Sequence, residues 1–388
     1  MRRFRPRLPS FLAGDRRRQA IAAASALLVV GASIGAVILT IGGSSGSSKA
    51  VSSVATPAST AVAPAPTPSP TAPPTEPTLL DGVLVYPDQL QEMQARLPLA
   101  VMVDNLAIGA RPQVNLTKAD LVFEAVAEGG ITRFLAVYWR NDPGVIEPVR
   151  SARAYYLDWA AELDAIYVHW GGARSNGPAD VPSAISRLGL RHMDAFFLGR
   201  PFFERDPNRA APHNGIVHSG PLWERAAASG WSGPPAIDPW AFKDDDPARG
   251  SALGAVTADT VDLGFGGPFS SDYSVRWTYN RRTNAYLRTM GGEPHKDGAS
   301  GERIRAKNVA VMVTDVWSAG DGTAHLLYRT TGEGQAIVFQ DGVAIEGSWK
   351  KPSAAERTRF FDAAGDEIAF NRGQTWIEVL AAGDPLSY

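Results

Sequence analysis

The sequence predicts an α+β protein: a mixed-sheet N-terminal domain followed by a small antiparallel β domain, preceded by one transmembrane helix. Three observations lead there. Ala20–Ile41 is an apolar run of 22 residues without a charge. Between Leu99 and Gly230, short apolar strands alternate with helical patterns. Beyond Ala255 the chain falls into short strands separated by glycine-rich turns.

The elements follow in chain order. Residues 1–19 form a basic tail; with the apolar run they carry seven Arg and one Asp, a charge of +6. Residues 20–43 have the length of a membrane span, since about 20 apolar residues cross a bilayer as a helix. Arg16, Arg17 and Arg18 precede it and no basic cluster follows, so the positive-inside rule keeps the N-terminus cytoplasmic and exports the rest. A cleaved signal peptide is the alternative; the run exceeds the usual apolar core of about 7–15 residues, which favours a retained signal-anchor. Residues 44–79 are a linker with eight prolines from Pro57 to Pro77. Such chain is extended and could reach on the order of 100 Å from the membrane.

Residues 80–235 read as the α+β domain. Leu99–Val103, Ala119–Val126, Ile131–Trp139 and Ala165–Trp170 are predicted strands, and Glu128-Gly129-Gly130 a hairpin turn between the second and third. Ser151 is predicted to cap a helix to about Leu163, with further helices over Val181–Leu188 and Leu222–Ser229. Residues 250–388 read as the β domain. Val275, Trp277 and Tyr279 alternate with polar residues, and further strands are predicted at Val309–Val316, His325–Arg329, Ala336–Phe339, Thr358–Phe361 and Trp376–Leu380.

Composition excludes several classes. With 44% hydrophobic and 20% charged residues over 388 positions, the chain can fold around a core, and length allows two or three domains. Net charge is −2, and the body from residue 80 carries −8, which argues against a nucleic-acid partner. The absence of cysteine removes disulfides, thiolate metal sites, thiol nucleophiles and cysteine-linked lipid. No Walker loop, nucleophile elbow, His-Glu-x-x-His or dinucleotide fingerprint is present, so no cofactor is expected.

The candidate site residues are mostly arginines. If Ser151 caps a helix, Arg150 and Arg153 flank its positive end, a natural place for a phosphate or carboxylate; an internal acid is the alternative. Arg133 shares a strand face with Ile131, Leu135, Val137 and Trp139. If that face is core, Arg133 needs a partner, and Glu124 and Glu128 are the nearest acids; either could instead act as a general acid or base. Asp104 and Arg111 follow the first strand, where such domains place ligands. His169 ends a strand before Gly171-Gly172, and His213 lies in Pro212-His213-Asn214; either imidazole could move a proton. The His213–His218 spacing does not fit common zinc patterns, so no metal is expected. Trp277, Trp317, Trp349 and Trp376 could stack on carbohydrate, or pack in the core.

Long motifs then point to a family. Ala119–Glu124, Glu128–Arg133, Pro148–Arg153, Ala110-Arg111-Pro112-Gln113, Gly171-Gly172 and Pro212-His213-Asn214, followed by Asn308-Val309, Gly347–Lys350 and Gly373–Trp376, resemble the YerB-like family of bacterial lipoproteins. The resemblance covers nearly all of residues 97–382 and implies an extracytoplasmic, membrane-attached protein of two parts. This chain departs from the pattern in lacking the lipid-bearing cysteine. In layout it is also similar to the LytR-CpsA-Psr phosphotransferases, an analogy that would make Asp104, Arg133, Arg150 and Arg153 a pyrophosphate site. Two readings stand. One is an envelope binding protein for an anionic ligand, its partners the membrane and a cell-wall precursor, glycan or envelope protein. The other is an envelope phosphotransferase or hydrolase using Glu124, Glu128 or His213.

Overall fold

The structure, a computed structural model, describes residues 74–247, 256–267 and 270–388. The expected tail, membrane helix and most of the linker lie outside the described residues. Among the described residues no helix is long and apolar enough to cross a membrane.

The chain forms strands β1 (Leu99–Asp104), β2 (Leu121–Glu128), β3 (Ile131–Tyr138), β4 (Val145–Val149), β5 (Ile166–His169), β6 (His192–Asp194), β7 (Phe203–Arg205) and β8 (Gly215–His218). Helices α1 (Pro87–Gln94), α2 (Tyr156–Ala161), α3 (Val181–Leu188) and α4 (Ser219–Ala228) accompany them. Then come β9 (Val256–Thr257), β10 (Thr260–Leu263), β11 (Val275–Asn280), β12 (Ala285–Met290), β13 (Glu293–Pro294) and β14 (Arg305–Ala306). The last are β15 (Asn308–Thr314), β16 (Gly332–Gln340), β17 (Val343–Lys351), β18 (Arg359–Asp362), β19 (Thr375–Ala381) and β20 (Leu386–Ser387).

All six residues of β1 are buried, as expected of a short apolar run covered on both faces. Gly129 and Gly130, both at positive φ, turn β2 into β3 at the expected hairpin. Among the described residues, fourteen strands make one mixed sheet, in the order β9–β17–β16–β15–β19–β2–β3–β1–β4–β8–β7, with β18 on β17, β5 on β1 and β6 on β5. Six strands make a second, antiparallel sheet: β13–β12–β11–β10–β20, with β14 on β12.

The C-terminal stretch therefore divides. Part of it is the small antiparallel sheet the alternating residues predict; β15–β19 instead extend the N-terminal sheet, with β19 lying parallel to both β2 and β15. The two faces of the main sheet have different cover. Val101, Val103, Val122, Phe134 and Trp376 pack against Val261, Val275, Trp277 and Tyr286 of the second sheet. Met102, Phe123, Leu135, Val137 and Val379 pack against Tyr156, Trp159, Val181 and Ile185 of α2 and α3. Phe123 stacks on Trp159 at 5.2 Å between ring centres. Trp277, Trp349 and Trp376 are fully buried; of the four tryptophans weighed as sugar-stacking groups, Trp317 is exposed.

One local expectation is corrected. No helix starts at Ser151: α2 begins at Tyr156. The backbone of Arg150–Ala152 is instead taken up by the sheet. Arg150 N–H donates to Met102 O at 2.9 Å, Ala152 N–H donates to Gly171 O at 2.9 Å, and Trp170 N–H donates to Arg150 O at 3.0 Å. Extended pairing satisfies these groups where a helix would leave its first N–H donors open.

Candidate functional site

Four strand ends bring the sequence-predicted arginines to one edge of the main sheet. Asp104 closes β1 and faces Arg133 across the β1–β3 pair. Glu128 closes β2, and Arg150 follows β4. Arg133 donates from Nη2 to Glu128 Oε1 at 2.8 Å and from Nη1 to Ser151 O at 2.9 Å. Arg153 donates from Nε to Glu128 Oε2 at 2.8 Å and also from Nη2 to the same oxygen. One carboxylate thus holds two guanidinium groups. Burial alone would push the Glu128 carboxyl up; the charges of Arg133 and Arg153 outweigh it and hold it below the usual range.

A second set adjoins the first. Asp104 Oδ2 accepts from His213 Nδ1 at 2.5 Å and lies 3.2 Å from Arg150 Nε. Burial opposes its charge, but the hydrogen bond from His213 and the charges of Arg133 and Arg150 keep the Asp104 carboxyl low. Burial, and then the like charges of Arg133 and Arg153, lower the Arg150 guanidinium. Among the described residues no hydrogen-bond partner meets Arg150 Nη1 or Nη2, or His213 Nε2. Three guanidinium groups face two carboxylates, so the cluster carries one surplus positive charge before His213 is counted. Arg133 and Arg153 are buried, whereas the Arg150 and His213 side chains each keep 21% of their surface open. The arrangement can accept an anion at Arg150 with two charge-assisted bonds.

Other candidates are committed elsewhere. Glu124 is fully buried and belongs to a different network. It lies opposite Glu378 in the β2–β19 register, and both carboxylates meet Arg288, which is also fully buried. Thr132 Oγ1 donates to Glu124 Oε1 at 2.5 Å. Burial pushes the Glu124 carboxyl well above the usual range, and neighbouring Glu378 adds to it against the pull of Arg288. Glu124 therefore has no contact with solvent, and its cation is Arg288 rather than Arg133. Arg111 donates to Asn105 Oδ1 at 3.0 Å and to Asp272 O at 3.0 Å, tying the loop after β1 to the 3-10 turn that leads into β11. His169 is buried at the end of β5, its Nδ1 donating to Gly171 O at 2.8 Å. Burial lowers its pKa to about 4. No group of three or more His, Asp or Glu that could hold a metal occurs among the described residues.

Sequence reasoning missed Arg288, which sits in a strand read only for its alternation. It also missed His192 and Asp194, which join His169. The neighbouring Phe196-Phe197, two consecutive aromatic residues beside Gly199, was the available signal for that loop.

Comparison with known proteins matches the two parts of the chain. Residues 87–232 match the N-terminal domain, and residues 266–377 the C-terminal domain, of the family described as "Protein of unknown function (DUF3048)". The chain is 29% identical over 305 residues to the Bacillus subtilis (strain 168) protein described as "Putative lipoprotein YerB", covering 76% of this chain and 85% of that protein. A crystal structure of the Bacillus subtilis YerB protein superposes with a TM-score of 0.68 at 25% identity, over 80% of this chain and 99% of that one. With both domains present in order, the chain belongs to the DUF3048 family of YerB-like proteins.

Proposed function

We propose that this protein is a membrane-anchored, extracytoplasmic cell-envelope protein that binds a phosphorylated or carboxylated ligand at Arg150. The location rests on the relative's description as a lipoprotein and on the apolar stretch at 20–43, which arginines precede and no basic cluster follows. Because this chain has no cysteine, that run is the proposed anchor, crossing the membrane once with the N-terminus cytoplasmic. The binding reading is carried by one observation: the guanidinium surplus at the sheet edge, with Arg150 Nη1 and Nη2 unengaged. Isothermal titration of the detergent-solubilised full chain with inorganic pyrophosphate tests it. Saturable binding is expected, weakened about 10-fold or more in Arg150→Ala, since a hydrogen bond to a charged group contributes roughly 1.5–3 kcal/mol. Equal binding by both proteins, or none by either, removes the reading.

The Asp104–His213 pair supports a second reading, an envelope phosphotransferase or hydrolase. A carboxylate on Nδ1 fixes the imidazole with Nε2 free, the arrangement of an oriented general base beside an anion-holding arginine. Turnover of a lipid pyrophosphate that His213→Gln abolishes, with pyrophosphate affinity retained, would favour this reading over simple binding.

A further inference from the structure

A concave site lies on the helix-covered side of the main sheet, and its residues take no part in the arginine cluster. It has a volume of about 760 Å³; its lining includes His169, His192, Asp194 and Arg174, Val181 and Ile185 of α3, and Phe196 and Phe197. That size suits a small ligand. Phe196 and Phe197 are 71% and 75% exposed, so two consecutive phenyl rings stand in solvent at the rim. Gly171, at φ +65°, lets Phe196 lie directly against the backbone: a Cβ there would come within 2.2 Å of the ring.

The polar groups of the pocket have defined roles. His169 Nδ1 faces a carbonyl, which only accepts, so that nitrogen carries the hydrogen. With His169 neutral, its Nε2 accepts from His192 Nδ1 at 3.2 Å. Burial also lowers the His192 pKa, so His192 is neutral at neutral pH and its Nε2 is a lone-pair acceptor. Asp194 Oδ1 accepts from Gly171 N–H at 2.7 Å and Phe196 N–H at 3.0 Å. Its Oδ2 has no hydrogen-bond partner among the described residues and lies 4.0 Å from His169 Nδ1. The pocket thus offers two acceptors, His192 Nε2 and Asp194 Oδ2, beside two aromatic faces. Acceptors call for donors. An alkyl chain would strip water from both and return nothing. An anion would meet the Asp194 carboxylate, and the one arginine in the lining, Arg174, offsets that charge without providing a surplus. A hydroxyl-rich ring with an apolar face satisfies both requirements, its C–H face on phenyl and its O–H groups on the acceptors.

We propose that this pocket is a carbohydrate subsite that takes one pyranose ring of a glycan, stacked on Phe197, with hydroxyls donating to Asp194 and His192. The site stands independently of the anion reading at Arg150. His169 is a positioning residue: it touches no ligand but sets the His192 tautomer.

The test is titration of the full chain, solubilised in a detergent without a sugar headgroup, with chitotetraose and with cellotetraose. Saturable binding of at least one is expected. Phe197→Ala, at an exposed position, should leave thermal melting unchanged and weaken binding about fivefold, the scale of one aromatic contact. His192→Ala should weaken it by a similar factor, and Arg150→Ala should leave it unchanged. No saturable binding of either oligosaccharide, or binding that Phe197→Ala does not alter, overturns the proposal. So does occupation of the pocket by an alkyl phosphate in place of the sugars.

Discussion

Replacing Arg288 with Met is the sharpest test of how the two sheets are held together. Arg288 extends from β12 of the second sheet onto Glu124 of β2 and Glu378 of β19, and none of the three side chains reaches solvent. Its guanidinium lies 4.5 Å from the centre of the Trp376 ring, 5.3 Å from Trp277 and 5.6 Å from Phe134. Met keeps most of the volume, so the loss is chiefly electrostatic. Removing one partner of a buried ion pair costs about 3–5 kcal/mol, because the charge left behind has neither water nor counter-ion. The cation–π contacts add roughly 1 kcal/mol more. The loss should depend on pH in a definite direction. Without Arg288, the buried Glu124 carboxyl loses the charge that pulls it down and lies further above its unfolded pKa. The folded variant then binds more protons than the unfolded chain, so its stability rises as pH falls from neutral toward about 4.3. Urea unfolding at about pH 7.5 and about pH 5 measures this. The expected result is a large deficit at the higher pH that shrinks at the lower. A deficit under about 1 kcal/mol at neutral pH, or one independent of pH, would refute the reasoning. Adding Glu124→Gln and Glu378→Gln to the same chain should restore part of the loss, since the buried charges then disappear together.

Two further outcomes follow from the same physics. His169 has its pKa lowered to about 4, chiefly by burial, with His192 and Asp194 beside it and Tyr167 packed on its ring. The unfolded chain therefore takes up a proton between about pH 6.5 and about pH 4 that the folded chain refuses, so stability falls as pH falls through that window. His169→Gln should flatten that part of a stability-against-pH curve, and an unchanged slope would remove His169 as its source. Gly171→Ala should cost about 1–2 kcal/mol from the left-handed backbone alone. It should also drive the Phe196 ring off its seat, because the new methyl would sit 2.2 Å from that ring. Chemical unfolding together with the Phe196 ring resonances reports both effects, and a neutral substitution would show that the loop relaxes freely.

What the sequence made legible was local. The parity of Arg133 with Leu135 and Val137 placed it on a core face, and the structure puts Leu135 and Val137 against α2 and α3 with Arg133 bonded to Glu128 at the edge. The hairpin at Gly129-Gly130 and helix α3 follow from turn and cap residues close by in the chain. Pairing between distant segments was not legible. Strand β19 inserts between β2 and β15, and no period within Thr375–Ala381 names those neighbours. For the same reason the sequence pairs Glu124 with nearby Arg133, while its cation lies 164 positions away. Strand β4 was hidden by Pro148, which removes a backbone donor and argues against a strand when read alone. The helix expected at Ser151 failed because the sheet edge already supplies partners for that backbone. Yet the arginines it would have displayed still converge, through strand ends rather than a helix terminus.

The claim on which the functional account rests is that Arg150 holds an anion from outside the protein. The most direct measurement is a crystal structure of the protein grown with pyrophosphate. The account calls for an ordered anion within hydrogen-bond distance of Arg150 Nη1 and Nη2, beside His213, and none there in Arg150→Ala. An anion bound only elsewhere, or an Arg150 whose Nη atoms close onto the protein's own carboxylates instead, would contradict it.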